Sequence, residues 1–232
     1  MATSAEDELR ALGTAAAAYV ERGMKVGLGT GRAATAFVRA LGARVRGEGL
    51  EVVGVPTSEA TRALAESLGI PLATLSEAGS LDLTVDGADE VDPRLDLIKG
   101  LGGALVREKI VAASSRRLLI VVGSEKMVER LGVRTPLPVE IVPFGLALCE
   151  RRIAELGARS ELRRRDAEVF VSDNGNYILD CRFEGIADAT SLDGAIREIP
   201  GVVGTGLFVG MAERVLVHDG PEVRILERAS RG

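Results

Sequence analysis

With 232 residues, a formal net charge of -5 and 46% hydrophobic but only 3% aromatic residues, the chain is long enough for one good-sized α/β domain, or a large domain carrying a small one, cored by Val, Leu, Ile and Ala. The negative charge and the lack of any dense basic tract except Arg163-Arg164-Arg165 argue against a nucleic-acid partner, and no apolar run approaches a membrane span. A single histidine, His218, and two distant cysteines, Cys149 and Cys181, point away from Ser-His-Asp, Cys-His and multi-His metal chemistry, while the acidic start without a signal pattern points to a cytoplasmic protein with reduced thiols.

Residues 5 to 21 are rich in helix formers and stop at Gly23. MKVGL (24 to 28) reads as a buried strand that runs into Gly27-Leu28-Gly29-Thr30-Gly31, with RAATAFVRALGARV as the following helix. A strand, a glycine-rich turn and a helix N-terminus make a phosphate cradle, because glycines let backbone N–H groups approach an anion that the helix dipole also favours. No Gly-Lys-Ser or Gly-Lys-Thr follows, and position 34 is Ala, so this is neither a P-loop nor a full G-x-G-x-x-G. A phosphate cradle and a plain tight βα turn both remain open.

LEVVGVP (50 to 56) predicts a second strand, Pro56-Thr57-Ser58 caps a helix over SEATRALAESLG, and IPLATL predicts a third strand. LDLTV (81 to 85) is a buried strand with Asp86 and Asp89 in the turn at its carboxyl end, where open α/β sheets bind ligands. LDLI (95 to 98) delivers Lys99 to the turn Gly100-Leu101-Gly102-Gly103, and a helix begins near Ala104. Helical spacing puts Ala104, Leu105 and Ala112 on the face of Glu108, with no cation three or four positions away. A carboxylate on such an apolar stripe should have a raised pKa and serve as general base or acid. Helix phase fits equally well a solvent-facing glutamate between Arg107 and Lys109, and the two aspartates also suit an ordinary acidic turn. RRLLIVVG (116 to 123) is another buried strand, ending at Ser124-Glu125-Lys126.

From about 132 the texture changes. Pro136, Pro138 and Pro143 punctuate an extended LPVEIVPFG, then come a helix over LALCERRIAELG, a hairpin over EVFVSDNGNYILDCRF about Asn174-Gly175, a helix over TSLDGAIREIPG and a strand over VVGTGLF. RVLVHD and EVRILER return to the large sheet. The expected fold is α/β: a Rossmann-like large domain with a mostly parallel sheet (1–130 and 207–232), plus a small ferredoxin-like α+β domain (131–206) inserted before the C-terminal strands. The candidate polar groups then lie at strand ends along one edge.

Separated stretches, in order, resemble the ribose-5-phosphate isomerase A family: GLGTG at 27, VPTSEAT at 55, DGADE at 86, KGLGGALVREK at 99, LPVEIVPFG at 137, DNGNYILDC at 173 and IPGVVGTGLFVGMA from 199. The resemblance implies an aldose-ketose isomerase of the non-oxidative pentose phosphate pathway, interconverting ribose 5-phosphate and ribulose 5-phosphate through an enediolate. It implies Glu108 as the base with Asp86, Asp89 and Lys99 as polar partners. Substrate contacts are implied at Thr30, Gly31, Arg32, Ala33, Gly87, Ala88, Gly100, Leu101, Gly102 and Lys126. No metal or other cofactor is implied, and the resemblance implies a homodimer or homotetramer. The family usually follows its Gly-Thr-Gly with Ser-Thr, where this chain has Arg32 and Ala33. Arg32 either replaces the lost hydroxyls with a charge-assisted phosphate contact or points into water. Arg10 stands where the family often has lysine. The alternatives are a sugar-phosphate deaminase or CoA transferase of the same fold group, and a sugar-phosphate sensor without turnover.

Overall fold

The computed structural model describes residues 5–219 and 222–228. Helix α1 (Ala5–Ala17) carries acids in its first turn and buries Leu12, Ala16 and Ala17. After strand β1 (Lys25–Leu28), helix α2 (Arg32–Glu48) starts at Gly31, φ 102°, and ends at the left-handed Gly49. Strand β2 (Val53–Pro56) leads to α3 (Glu59–Ser67), whose N-cap Ser58 accepts the Thr61 N–H. The short α4 (Leu75–Ala78), strand β3 (Leu83–Asp86) and the two-residue strands β4 (Glu90–Val91) and β5 (Leu97–Ile98) follow. Next come α5 (Leu105–Ala113), β6 (Leu118–Gly123), β7 (Leu137–Ile141), α6 (Leu146–Glu155) and β8 (Arg159–Leu162). The chain continues through β9 (Arg164–Arg165), β10 (Glu168–Val169), β11 (Tyr177–Arg182) and α7 (Ala189–Arg197). It finishes with β12 (Val202–Thr205), β13 (Leu207–Phe208), β14 (Arg214–Asp219) and β15 (Glu222–Glu227).

These elements pack as two units. The first takes the chain up to Ala88, Arg107–Lys126 and the part from Met211. It is built on a six-stranded sheet of order β15-β14-β6-β3-β1-β2, parallel except for the antiparallel edge strand β15. Val26, Leu28, Leu83, Val85, Leu119 and Val121 alternate onto one face and pack with Leu12, Ala16, Phe37 and Leu41 of α1 and α2. On the other face Gly27 leaves room for Val111 of α5, whose Cγ1 lies only 2.6 Å from where a Cβ at 27 would sit. Because the strands are parallel, the segments after β1, β2, β3 and β6 all emerge at one edge.

The second unit comprises Asp89–Val106 and Met127–Gly210. Its four-stranded antiparallel sheet has the order β12-β7-β11-β8, and with α6 and α7 the chain follows the split βαββαβ path of a ferredoxin-like layer. Leu137, Val139, Ile141, Cys149, Ile153, Leu179, Cys181 and Ile196 fill its core. A three-stranded sheet, β13-β5-β4, completes the unit. The buried Glu90 of β4 accepts the N–H groups of Gly132, Arg134 and Thr135, which fixes the chain on its way into β7.

Three local expectations are corrected. IPLATL forms no strand: Leu72 makes one isolated bridge to Gly54, Pro71 has no N–H to donate, and a capping box between Thr74 and Glu77 turns the chain into α4. Asn174-Gly175 does lie in a tight turn, closed by Ser172, whose carbonyl accepts the Gly175 N–H and whose N–H donates to the Asn176 carbonyl, both at 2.9 Å, but the strands beyond it do not pair with each other. β10 pairs with β9, and β11 is held between β7 and β8, where Ile178, Leu179 and Cys181 are buried. VVGTGLF is two strands in two sheets, broken at Gly206.

Candidate active site

In the first unit, Asp86 closes β3 with only 1% of its surface exposed. Its Oδ1 accepts the N–H of Thr30 at 3.0 Å and that of Gly87 at 2.8 Å, joining the turn after β1 to the turn after β3. Gly29 makes this possible, since a Cβ there would lie 2.2 Å from Asp86 Oδ1 and 2.6 Å from its Cα. Thr30 is set by hydroxyls that the sequence reading treated only as helix caps. Thr30 Oγ1 lies 2.7 Å from Thr57 Oγ1 and donates to Ser58 Oγ at 2.9 Å. Ser58 donates on to Thr61 Oγ1, which in turn donates to the Gly29 carbonyl. Gly31 caps α2 without a side-chain hydrogen bond to its first turn. Arg32 is exposed, Ala33, Gly87 and Ala88 are half-buried, and Lys126 is half-buried in the short 3-10 turn after β6.

Glu108 is 4% exposed, so helix α5 turns it inward and the solvent-facing alternative falls. Arg107 beside it goes the other way and donates to Glu59 Oε1 of α3 at 2.8 Å, holding the Glu59 carboxyl below its ordinary range. Arg10 is exposed and pairs with Asp7 at 3.4 Å.

In the second unit, Lys99 is 2% exposed. Its N–H donates to the Gly206 carbonyl at 2.9 Å, and its Nζ stands 5.5 Å from the centre of the Phe208 ring. A Cβ at Gly206 would lie 2.2 Å from the Lys99 carbonyl oxygen, so only glycine lets the strands approach this closely. The turn that follows needs glycine at both ends, with φ 107° at Gly100 and 89° at Gly103. Leu101 and Gly102 at its tip are exposed, and the Leu101 N–H donates to Asp89 Oδ2 at 2.9 Å. Gly103 lies against Phe170, whose Cζ is 2.4 Å from where its Cβ would be. Sequence reasoning passed over Arg163, seen there only as part of a basic tract, though its side chain reaches this turn. No local signal marks it, because its partners in the turn lie more than sixty positions away.

The sequence-selected residues therefore fall into two local assemblies. Thr30, Gly31, Arg32, Ala33, Asp86, Gly87, Ala88, Glu108 and Lys126 belong to the first unit, and Asp89, Lys99, Gly100, Leu101 and Gly102 to the second. An aspartate, a lysine and a glutamate, each nearly excluded from water, are expensive for a fold and suit proton transfer and the stabilisation of developing charge. Among the described residues, no group of three or more His, Cys, Asp and Glu is arranged to hold a metal ion, and no helix is long and apolar enough to cross a membrane.

Comparison with known proteins agrees on one family. Residues 53–221 match the model of ribose 5-phosphate isomerase A (phosphoriboisomerase A). A ribose-5-phosphate isomerase A of Roseiflexus castenholzii is 56% identical over 206 residues, covering 88% of each chain. The structure of the Methanocaldococcus jannaschii ribose 5-phosphate isomerase A superposes with a TM-score of 0.92 at 40% identity over 97% of this chain and all of that one. A D-ribose-5-phosphate isomerase in complex with phospho-erythronic acid gives 0.94 at 34% identity, with the same coverage.

Proposed function

This chain belongs to the ribose 5-phosphate isomerase A family and is an aldose-ketose isomerase of ribose 5-phosphate and ribulose 5-phosphate; from there we propose how its residues divide the reaction. Isomerisation moves one proton between C2 and C1 through an enediolate and a second between the two oxygens. Glu108 carries the carbon-bound proton. Lys99 and the Gly102 N–H at the tip of the 100–103 turn stabilise the enediolate oxygen, and Asp86 and Asp89 serve ring opening and the oxygen-bound protons. Thr30, Gly31, Arg32 and Ala33, at the N-terminus of α2, and Lys126 hold the phosphate. The observation that carries this reading is the near-complete burial of Asp86, Lys99 and Glu108, ionisable groups that are costly to desolvate. Phospho-erythronic acid, bound by a relative, has a carboxylate at one end and a phosphate at the other, the charge pattern of an enediolate phosphate.

The test is ribose 5-phosphate isomerisation by wild type and Glu108→Gln with ribulose 5-phosphate detected directly. A positioned general base contributes on the order of a hundred-fold to ten-thousand-fold, so kcat should fall by that much while ribose 5-phosphate still raises the melting temperature. Near-normal turnover in Glu108→Gln would remove Glu108 from the role.

The proposal includes a cytoplasmic homodimer or homotetramer. Two buried free cysteines support a reducing compartment. The exposed Val142, Phe144 and Val203 support self-association, which light scattering reads directly.

A further inference from the structure

The geometry points to Arg163 as a positioning residue for the isomerisation, with Asp180 as its anchor and the peptide groups of the Gly100–Gly103 turn as its target. This rests on the role proposed above for that turn. The Arg163 backbone is fixed on both sides: its N–H donates to the Ile178 carbonyl at 2.9 Å, and its carbonyl accepts the Phe170 N–H at 3.0 Å. The side chain is 10% exposed. Its Nε donates to Asp180 Oδ2 at 2.9 Å and its Nη2 to Asp180 Oδ1, the two-pronged geometry that fits a guanidinium to a carboxylate. That leaves Nη1 to donate to the carbonyls of Gly100 at 2.8 Å and Leu101 at 3.1 Å. The Phe170 ring lies 5.9 Å from the guanidinium carbon and beneath Gly103.

A trans peptide points its C=O and its N–H in opposite directions, so whatever holds the oxygen also aims the N–H. The peptide between Gly100 and Leu101 is clamped at both ends, with its oxygen on Arg163 and its N–H on Asp89 Oδ2. The next peptide has its oxygen on the same guanidinium, which sets the direction of the Gly102 N–H at the exposed tip. Glycine-rich turns have few side chains to prevent a peptide flip; the Gly100 oxygen also accepts the Gly103 N–H at 3.0 Å, and one rigid cation extends the hold to two consecutive peptides. A cation on the Gly100 oxygen also strengthens the Leu101 N–H as a donor to Asp89. Bracing the fold would need only the Arg163–Asp180 pair, whereas the contacts to Gly100 and Leu101 act on the catalytic turn.

The experiment compares wild type with Arg163→Ala, Arg163→Lys and Gly102→Pro in kcat, KM, pH profile and melting temperature, with and without millimolar guanidinium chloride. Misplacing a donor by about 1 Å costs on the order of a hundred-fold, so Arg163→Ala should lose about that in kcat with KM little changed. Guanidinium should restore part of the loss. Arg163→Lys, which keeps the charge but not the fork, should be intermediate. Wild-type kcat in Arg163→Ala, or a fall that follows the melting temperature and is not rescued by guanidinium, overturns the inference and leaves the turn's role standing. Wild-type kcat in Gly102→Pro, which lacks the N–H, overturns the reading of the turn and the inference with it.

Discussion

Replacing Gly29 by alanine tests whether the turn after β1 is held by its contact with Asp86. The new Cβ would lie 2.2 Å from Asp86 Oδ1, 2.4 Å from Cγ and 2.6 Å from Cα. Rotating the Asp86 side chain relieves only the first two contacts. The Cα belongs to β3, paired in register with β6 at Ile120, and Gly29 itself donates to the Val85 carbonyl at 3.0 Å. The turn must therefore lift by about 1 Å to reach ordinary contact distance, breaking the Thr30 N–H bond to the carboxylate. Overpacking costs roughly 1–3 kcal/mol. Loss of a hydrogen bond to a charged group adds about 1.5–3 kcal/mol. A total of about 2.5–6 kcal/mol corresponds to a melting temperature lower by roughly 5–24 °C in a chain of this length. Since Thr30 moves with the turn, kcat/KM should fall on the order of a hundred-fold. Thermal melting and steady-state kinetics on the same preparation read both effects. A Gly29→Ala protein that melts within about 2 °C of wild type and keeps its kcat/KM would refute the argument.

Two further outcomes follow from the same structure. Arg32→Ala should raise KM more than it lowers kcat, because a phosphate contact is made alike in ground and transition states; an unchanged KM would make Arg32 an ordinary surface residue. Burial raises the Cys181 thiol well above its ordinary 9.0, so the folded state keeps the proton that the unfolded chain releases. That stability is fully present below pH 9 and declines above it by roughly 1.4 kcal/mol per pH unit until the folded thiol itself ionises. Chemical denaturation from about pH 8 to 10.5 should therefore show a shallower decline in Cys181→Val than in wild type, and equal slopes would contradict it.

The strands and turns that sequence alone conveys here are those whose causes are neighbours in the chain. MKVGL before GLGTG, LDLTV before Asp86 and RRLLIVVG before Lys126 are short apolar runs closed by turn residues, and each is a strand at its predicted place. The motifs at 86–89 and 99–108 also named the isomerase family, since spacing along the chain is all that a motif records. IPLATL misled because its apolar run outweighed Pro71 and the Thr74–Glu77 cap. Helix phase left Glu108 balanced between water and core until the packing of α5 turned it inward. The necessity of Gly29 lies in Asp86, 57 positions on, and that of Gly206 in Lys99. Arg163 gains its part from two carbonyls more than sixty residues away. Turn chemistry and periodicity act within a few residues and so can be read from the chain, whereas burial, close approach and the aim of a peptide depend on segments that meet only once the chain has folded.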